Sequence, residues 1–294
     1  MKSSRHARLQ SAMEYLMTYG WAILAIAIVM VSLYSLGIFN LSNLAPTATP
    51  GSCQVLKTSA QTSLAGQCNN LVPKYVARFN SNNLGTVSFP YNNFPTGDAA
   101  RSLSAWVYQP SITGSAAQRY DIFGYGANGW CFALTLNQLS DGSAAPGKFG
   151  FAPCEATGST STATLSSNVW YNIVETFDGS TLNFYVNGVN YGSASYTLHT
   201  VISSASIGMV AGSGSAYNGS VANAQVYNTS LSASDVKTLY KEGIGGAPIE
   251  LQYLVGWWPL NGNSNDYSGN YNQGTPTNVI WSASWQAGYA APTS

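Results

Sequence analysis

The sequence predicts a mainly β protein, an antiparallel jelly-roll sandwich preceded by one long amino-terminal transmembrane α-helix. From about residue 53 onward, short runs of β-branched and aromatic residues alternate with Gly, Asn and Asp. This is the pattern of antiparallel strands joined by tight turns. Residues 15–39, in contrast, carry no charge, and a helix of that length spans about 37 Å, more than the ~30 Å hydrocarbon core of a membrane.

The composition favours an extracellular protein. Only 7% of the 294 residues are charged, against about 25% in an average soluble domain, and uncharged polar residues take their place. Of the 11 basic residues, three lie in the first nine positions, and the rest of the chain has 8 basic against 11 acidic residues, so it lacks the basic patch of a nucleic-acid-binding protein. We therefore predict no nucleic-acid partner.

The amino-terminal segment has the features of a membrane anchor. Lys2, Arg5 and Arg8 precede the uncharged run and favour a cytoplasmic amino end. A removable secretory signal is disfavoured, because its apolar core has only about 7 to 15 residues. The simplest interpretation is a signal anchor that holds an outer domain. Glu14 needs a further explanation, since an unpaired carboxylate in hydrocarbon costs several kcal/mol.

The basic leader and the "QSAMEYLMTYGWAIL" that follows it resemble the class III signal of archaeal type IV pilin-like proteins. The resemblance implies a leader peptide at 1–9, cleavage between Leu9 and Gln10, and a helix at 10–39 that stays with the mature subunit. Glu14 would then pair with the new amino group of a neighbouring copy, because either charge left alone in an apolar bundle is unfavourable. The alternative is that Glu14 lies at the membrane interface and extends toward water.

A linker and three possible glycosylation sites follow. Residues 40–52 are rich in Pro, Thr and Ser, which predicts an extended spacer. The sequons at Asn40, Asn218 and Asn228 are glycosylation candidates if this part of the chain is extracellular.

The cysteines predict disulfides rather than a metal or redox site. The spacing of Cys53, Cys68, Cys131 and Cys154 matches no CxxC pattern. An even number in an extracellular chain is typical of disulfide bonding. Four cysteines allow three pairings, and we favour the two pairs of sequence neighbours, Cys53 with Cys68 and Cys131 with Cys154.

The outer domain contains two strong hairpin signals and one helix. In "WYNIVETFDGSTLNFYVNGVNYGS", the dipeptides Asp178-Gly179 and Asn187-Gly188 are flanked by aromatic and β-branched residues. In "SLSASDVKTLYKEG", Ser232 and Asp235 form a capping-box-like start and Gly243 ends the helix.

These segments, together with "LSAWVYQ" and "YNGSVANAQVYNTS", resemble the laminin-G-like, concanavalin A-like jelly-roll family over most of residues 74–245. The resemblance implies the sandwich fold. It implies function only broadly, because one fold hosts unrelated functions, here binding of sugars, binding of proteins and purely structural roles.

The carboxy-terminal segment is out of its usual order. "LVGWWPLNGNSNDYSGNYNQGT", residues 254–275, looks like the part that normally opens such a domain. We predict one domain at 53–294, in which residues 254–294 close the sandwich as a permuted terminal strand. The alternative is a truncated second repeat that protrudes as a tail and exposes its tryptophans, which is unfavourable unless they bind something.

The motifs give little support to an enzyme. "GYGANG" precedes a strand-like segment, so it predicts a hairpin turn rather than a dinucleotide loop. Glu155, Glu175 and Asp178 are the candidates for glycoside hydrolysis by paired carboxylates, and the last two flank a predicted turn. We therefore predict that the protein is not an enzyme.

Calcium is the one cofactor that the laminin-G-like resemblance suggests. Some modules of that family bind Ca²⁺ at the rim of the sandwich through carboxylate, amide and backbone oxygens, which are ligands that this ion prefers. Asp266 in "NSNDYSGN" is the best match, with Asp178 second. The alternative is that Asp266 caps a turn.

Together these features predict a pilin-like cell-surface subunit. Its helix anchors in the membrane and builds a filament core, and its lectin-like jelly roll serves adhesion. The expected partners are the membrane, copies of the same chain, and surface carbohydrate or protein. The alternative is a non-filamentous, membrane-anchored adhesin or carbohydrate-binding protein. The expected location is the cell membrane with an extracellular domain, or an extracellular filament after processing.

Overall fold

A computed structural model describes most of the chain, and the chain divides into two units. The described residues are 4–35, 47–49, 51–59, 61–68, 71–111, 119–127, 129–138, 144–151, 159–210 and 216–293. The first unit, Met1–Ala45, contains helix α1 (Ser4–Ser35). The second unit, Pro46–Ser294, contains the strands and helix α2 (Ala233–Lys241).

Helix α1 presents large apolar side chains to its surroundings. Trp21 is 70% exposed and Ile23 is 66% exposed, and the apolar residues that follow are similar. Within the residues that the structure describes, no helix meets the combined length and hydropathy of a membrane-spanning segment. The side chains of Leu9, Gln10 and Glu14, and all of Asn40, lie outside the described residues, so the inferences about them stay predictions.

The second unit is built from short strands connected by turns. In chain order the strands are β1 (Thr47–Ala48), β2 (Cys53–Lys57), β3 (Thr62–Gly66), β4 (Val72–Pro73), β5 (Val76–Phe79), β6 (Thr86–Ser88), β7 (Arg101–Tyr108), β8 (Tyr120–Ala127), β9 (Trp130–Gln138), β10 (Ala144–Phe151), β11 (Ser159–Thr164), β12 (Trp170–Phe177), β13 (Thr181–Val186), β14 (Val189–Ser195), β15 (Ala205–Ile207), β16 (Gly219–Tyr227), β17 (Leu254–Trp258), β18 (Thr275–Thr277) and β19 (Ile280–Ser282).

Two large antiparallel sheets form the sandwich. One has the order β11-β10-β9-β8-β15-β6-β18, and the other has the order β14-β13-β12-β7-β16-β5-β19, with β17 also paired to β16. Alternate residues of each strand point into the space between the sheets. Phe79, Phe123, Phe177 and Trp258 are fully buried in that space. The prediction of a mainly β antiparallel sandwich is confirmed.

The carboxy-terminal segment contributes to both sheets. Strand β17 pairs with β16, β18 pairs with β6, and β19 pairs with β5. Trp257, Trp258 and Trp285 are buried, and Trp281 packs against the core between the sheets. The segment is therefore an integral part of the sandwich and not a protruding tail.

Local signals produced the expected local structures. Asn187 and Gly188 both have positive φ, of 50° and 77°, and form the two-residue turn between β13 and β14. Ser232 caps α2 and forms a capping box with Asp235. Cys53 and Cys68 form a disulfide across the β2–β3 hairpin. Cys131 is also disulfide-bonded, while Cys154 lies outside the described residues.

Candidate functional site

Asp266 has a structural role in the carboxy-terminal loop. Its Oδ1 accepts hydrogen bonds from the backbone N–H groups of Trp257 (3.0 Å) and Ser268 (2.8 Å). Its Oδ2 accepts from the Ser268 hydroxyl (2.9 Å) and the Asn272 N–H (2.8 Å). Because both carboxylate oxygens of this buried residue are occupied by donors, they hold the loop against β17. The turn-capping interpretation therefore fits Asp266 better than the calcium interpretation.

Asp178 caps a turn in the same way. Its Oδ1 accepts from the N–H groups of Ser180 (2.9 Å) and Thr181 (2.8 Å). These backbone donors, Thr181 first, lower the pKa of the Asp178 carboxyl. In the described part of the chain, no group of three or more His, Cys, Asp or Glu residues is arranged to hold a metal ion.

Glu175 lies in the core and not in a cleft. It is on β12, on the same face as Ile173 and Phe177, which belong to the core between the sheets. Its exposed fraction is 0%, and neither carboxylate oxygen has a hydrogen-bond partner. Burial raises the pKa of the Glu175 carboxyl well above its usual range. A side chain in this position cannot reach a substrate, and its suggested partner Glu155 lies outside the described residues.

The two sequons within the described residues differ in accessibility. Asn228 is exposed just after β16, whereas Asn218 is half-buried just before it. Both stay glycosylation predictions, and Asn228 has the more accessible side chain.

A groove on the outer face of the β5–β16–β7–β12 sheet is the strongest candidate for a binding site. Strand register aligns Arg78 with Ser220, Ser220 with Tyr108, and Tyr108 with Trp170. The residues next to them in sequence, such as Ala77 and Val107, belong to the inner core, so the four aligned side chains face outward. At ~4.8 Å per strand, this row is roughly 14 Å long.

Aromatic rings form the wall of the groove at its Trp170 end. The ring centroids of Tyr108 and Trp170 are 5.5 Å apart, and those of Trp170 and Trp285 are 5.9 Å apart in an edge-to-face arrangement. The Trp170 indole N–H donates to the Trp285 carbonyl (2.9 Å), and the Trp285 indole N–H donates to the Pro73 carbonyl (3.0 Å). The Tyr108 hydroxyl donates to Asn168 (3.0 Å). The rings are therefore fixed before any ligand arrives.

The other polar side chains of the groove are free to bind a ligand. Arg78, Ser220, Ser282 and Ser284 line it. None of these four side chains has a hydrogen bond or ion pair within the described residues. The groove encloses about 180 Å³. Fixed aromatic surface with a few convergent, unoccupied polar groups is the usual composition of a small-ligand site.

A second cavity is less suited to binding. It lies beside Trp257, Asn223 and Asn261 and encloses only about 30 Å³. Its amides are already used: Asn223 Oδ1 accepts from the Trp257 indole (2.7 Å), and Asn261 donates to the Ala48 carbonyl (3.0 Å). These bonds join the carboxy-terminal segment to the rest of the domain.

Residues 81–237 match a family profile of laminin G type, described as the concanavalin A-like lectin/glucanases superfamily. This match covers more than half of the chain, and the protein belongs to that family. No curated protein sequence matches the chain.

The chain is similar to several solved structures at low identity. A candidate carbohydrate-binding protein from Bacteroides ovatus is 15% identical with a TM-score of 0.57, covering 77% of this chain and 65% of that one. The chain thus spans about 65% of that relative's length. Domain 4 of the arabinanase AbnA from Geobacillus stearothermophilus, solved with arabinotriose, is 14% identical (TM-score 0.41; 67% and 85% covered). Trypanosoma rangeli sialidase with sialic acid is 18% identical (TM-score 0.46; 69% and 33% covered).

Proposed function

We propose that this protein is a cell-surface carbohydrate-binding protein whose ligand occupies the groove between Arg78 and Trp170. The observation that carries the proposal is the row of outward side chains, which ends in fixed aromatic rings and contains polar groups that no described residue satisfies. Membership of a lectin-containing family makes a sugar the first ligand class to test.

The groove has an apolar aromatic surface and polar hydroxyl groups, and a sugar has an apolar face and polar hydroxyls that match them. The C–H face of a pyranose ring is apolar and packs against aromatic rings such as Tyr108, which is half-buried. The hydroxyls of the sugar exchange hydrogen bonds with Ser220, Ser282 and Ser284, because a serine hydroxyl both donates and accepts. Since the rings are already held by hydrogen bonds, little ordering cost is added on binding.

The groove favours binding over hydrolysis. Glycoside hydrolysis by the usual route requires two carboxylates that flank the bond to be cleaved. No Asp or Glu is among the described residues that line the groove. The buried Glu175 points to the opposite face of the sheet.

Blocking the groove tests the proposal. Ser284 is an exposed lining residue, so Ser284→Trp fills the groove without disturbing the core. The matched control is Ser195→Trp, because Ser195 is also exposed and lies on β14, at the opposite edge of the same sheet. On a glycan array, the wild type and the control should bind the same oligosaccharides and Ser284→Trp should bind none. Retention of binding by Ser284→Trp would place the ligand elsewhere.

A filament subunit is the second candidate function. The exposed apolar side chains of α1, such as Trp21 and Ile23, favour burial in a membrane or against copies of the same helix. Mass spectrometry of the native protein should find a mature terminus at Gln10, and Glu14→Ala should abolish filaments in electron micrographs. A terminus at Met1 with single copies in the membrane would leave only an anchored carbohydrate-binding protein.

A further inference from the structure

We propose that the groove selects saccharides that carry a carboxylate, and that Arg78 binds this carboxylate. The inference rests on the proposed function and adds the chemical class of the ligand. It concerns one end of the groove, where the charge of the site is concentrated.

Within the described part of the chain, Arg78 is a cation without a counter-ion. The ion pairs of the described residues are Arg119 with Asp121 and His199 with Asp98, so Arg78 is in neither. Its cross-strand neighbours, Ser220 on β16 and Ile280 on β19, are uncharged. Other described cations, such as Lys237, are also outside these ion pairs, but Arg78 is the one that lines the groove.

The charge is available to a ligand. Arg78 is exposed, and it is the one charged residue among those described as lining the groove. A guanidinium is planar and always charged, and its N–H groups match the two oxygens of a carboxylate. A neutral sugar offers only single hydroxyls to the guanidinium, whereas a uronic acid offers a carboxylate that accepts two hydrogen bonds from it.

The row sets the orientation of such a ligand. Arg78 and Tyr108 are two strands apart, roughly 10 Å at ~4.8 Å per strand. One acidic sugar at Arg78 would place its hydroxyls over Ser220. The next sugar would reach the partly exposed ring of Tyr108, which packs against the buried Trp170. The fitting ligand is therefore a short oligosaccharide with an acidic residue at the Arg78 end, rather than a monosaccharide.

The test compares matched acidic and neutral probes. The full chain, kept in detergent because α1 is apolar, is titrated by calorimetry with trisaccharides of galacturonic, glucuronic and mannuronic acid and with their carboxyl-reduced neutral counterparts. We expect at least one acid to bind about ten- to a hundredfold more tightly than its neutral counterpart, which is the strength of a charged hydrogen bond. Raising the salt concentration should reduce that preference.

Variants assign the preference to Arg78. Arg78→Gln should remove it and Arg78→Lys should keep part of it. Lys237→Gln, which removes an exposed cation from α2, should leave it unchanged. Three results would overturn this inference and leave carbohydrate binding intact. The wild type could bind acids and their neutral counterparts with equal affinity, or the preference for acids could survive in Arg78→Gln. The third result is binding of neutral glycans on the array with no acid bound. If neither the array nor the titrations detected any binding, the proposed function would be overturned as well.

Discussion

The buried carboxyl of Glu175 should make the sandwich more stable in acid than at neutral pH. Because burial raises the pKa of this group in the folded state, the folded protein keeps a proton that the unfolded chain releases above its usual pKa of about 4.3. The contribution to stability is complete below that pH and is lost as the pH rises toward the folded-state pKa. The Glu175 contribution alone therefore favours the folded state in acid.

The size of this change in the free energy of unfolding follows from the single proton that the Glu175 carboxyl binds. While Glu175 is protonated in the folded state and ionised in the unfolded chain, the free energy of unfolding falls by about 1.4 kcal/mol per pH unit. Two pH units within this window correspond to about 2.7 kcal/mol. Glu175→Gln keeps the shape of the side chain but does not titrate, so this slope should disappear.

The assay is urea unfolding followed by tryptophan fluorescence between pH 4 and pH 8. The quantity compared is the difference between wild type and Glu175→Gln, because Asp98 and Asp178 have lowered pKa values and add a pH dependence of opposite sign to both proteins. Glu242→Gln, at an exposed site after α2, is the control and should behave like the wild type. A constant difference across this range would refute the reasoning.

Three further changes test other parts of the fold, each by urea unfolding. Asp266→Ala leaves the backbone N–H groups of Trp257, Ser268 and Asn272 without this acceptor and should cost about 3 kcal/mol. Added Ca²⁺ should not stabilise the wild type, and stabilisation would revive the metal interpretation. Replacing both Cys53 and Cys68 by serine opens a loop of 15 residues and should cost about 3 kcal/mol, whereas no change would mean that the disulfide contributes nothing to stability. Ser232→Ala removes the N-cap of α2 and should cost about 1 kcal/mol, which a loss below 0.3 kcal/mol would contradict.

The elements that the sequence predicted well are those with local causes. The Asn187-Gly188 turn needs two residues with positive φ, and Asn and Gly are the residues that adopt it most readily. The capping box at Ser232 and Asp235 likewise depends on residues within one helical turn. The Cys53–Cys68 disulfide joins β2 to the residues just after β3 in the same hairpin, which is why pairing of sequence neighbours was correct here.

The features that the sequence did not predict depend on contacts between distant segments. Arg78, Tyr108, Trp170 and Ser220 come from four strands and become neighbours only through sheet register. The location of Glu175 was partly readable, because it alternates with Ile173 and Phe177 on one face of a strand. In the sequence alone, it stands only beside the Asp178 turn, as one of the candidate carboxylates.

The measurement that tests the central claim most directly is the crystal structure of the protein with the oligosaccharide that binds most tightly. We expect the sugar in the groove, with one ring against Tyr108 and a carboxylate within hydrogen-bond distance of Arg78. A sugar bound at the rim loops or on the other sheet, with the groove empty, would contradict the assignment of this site.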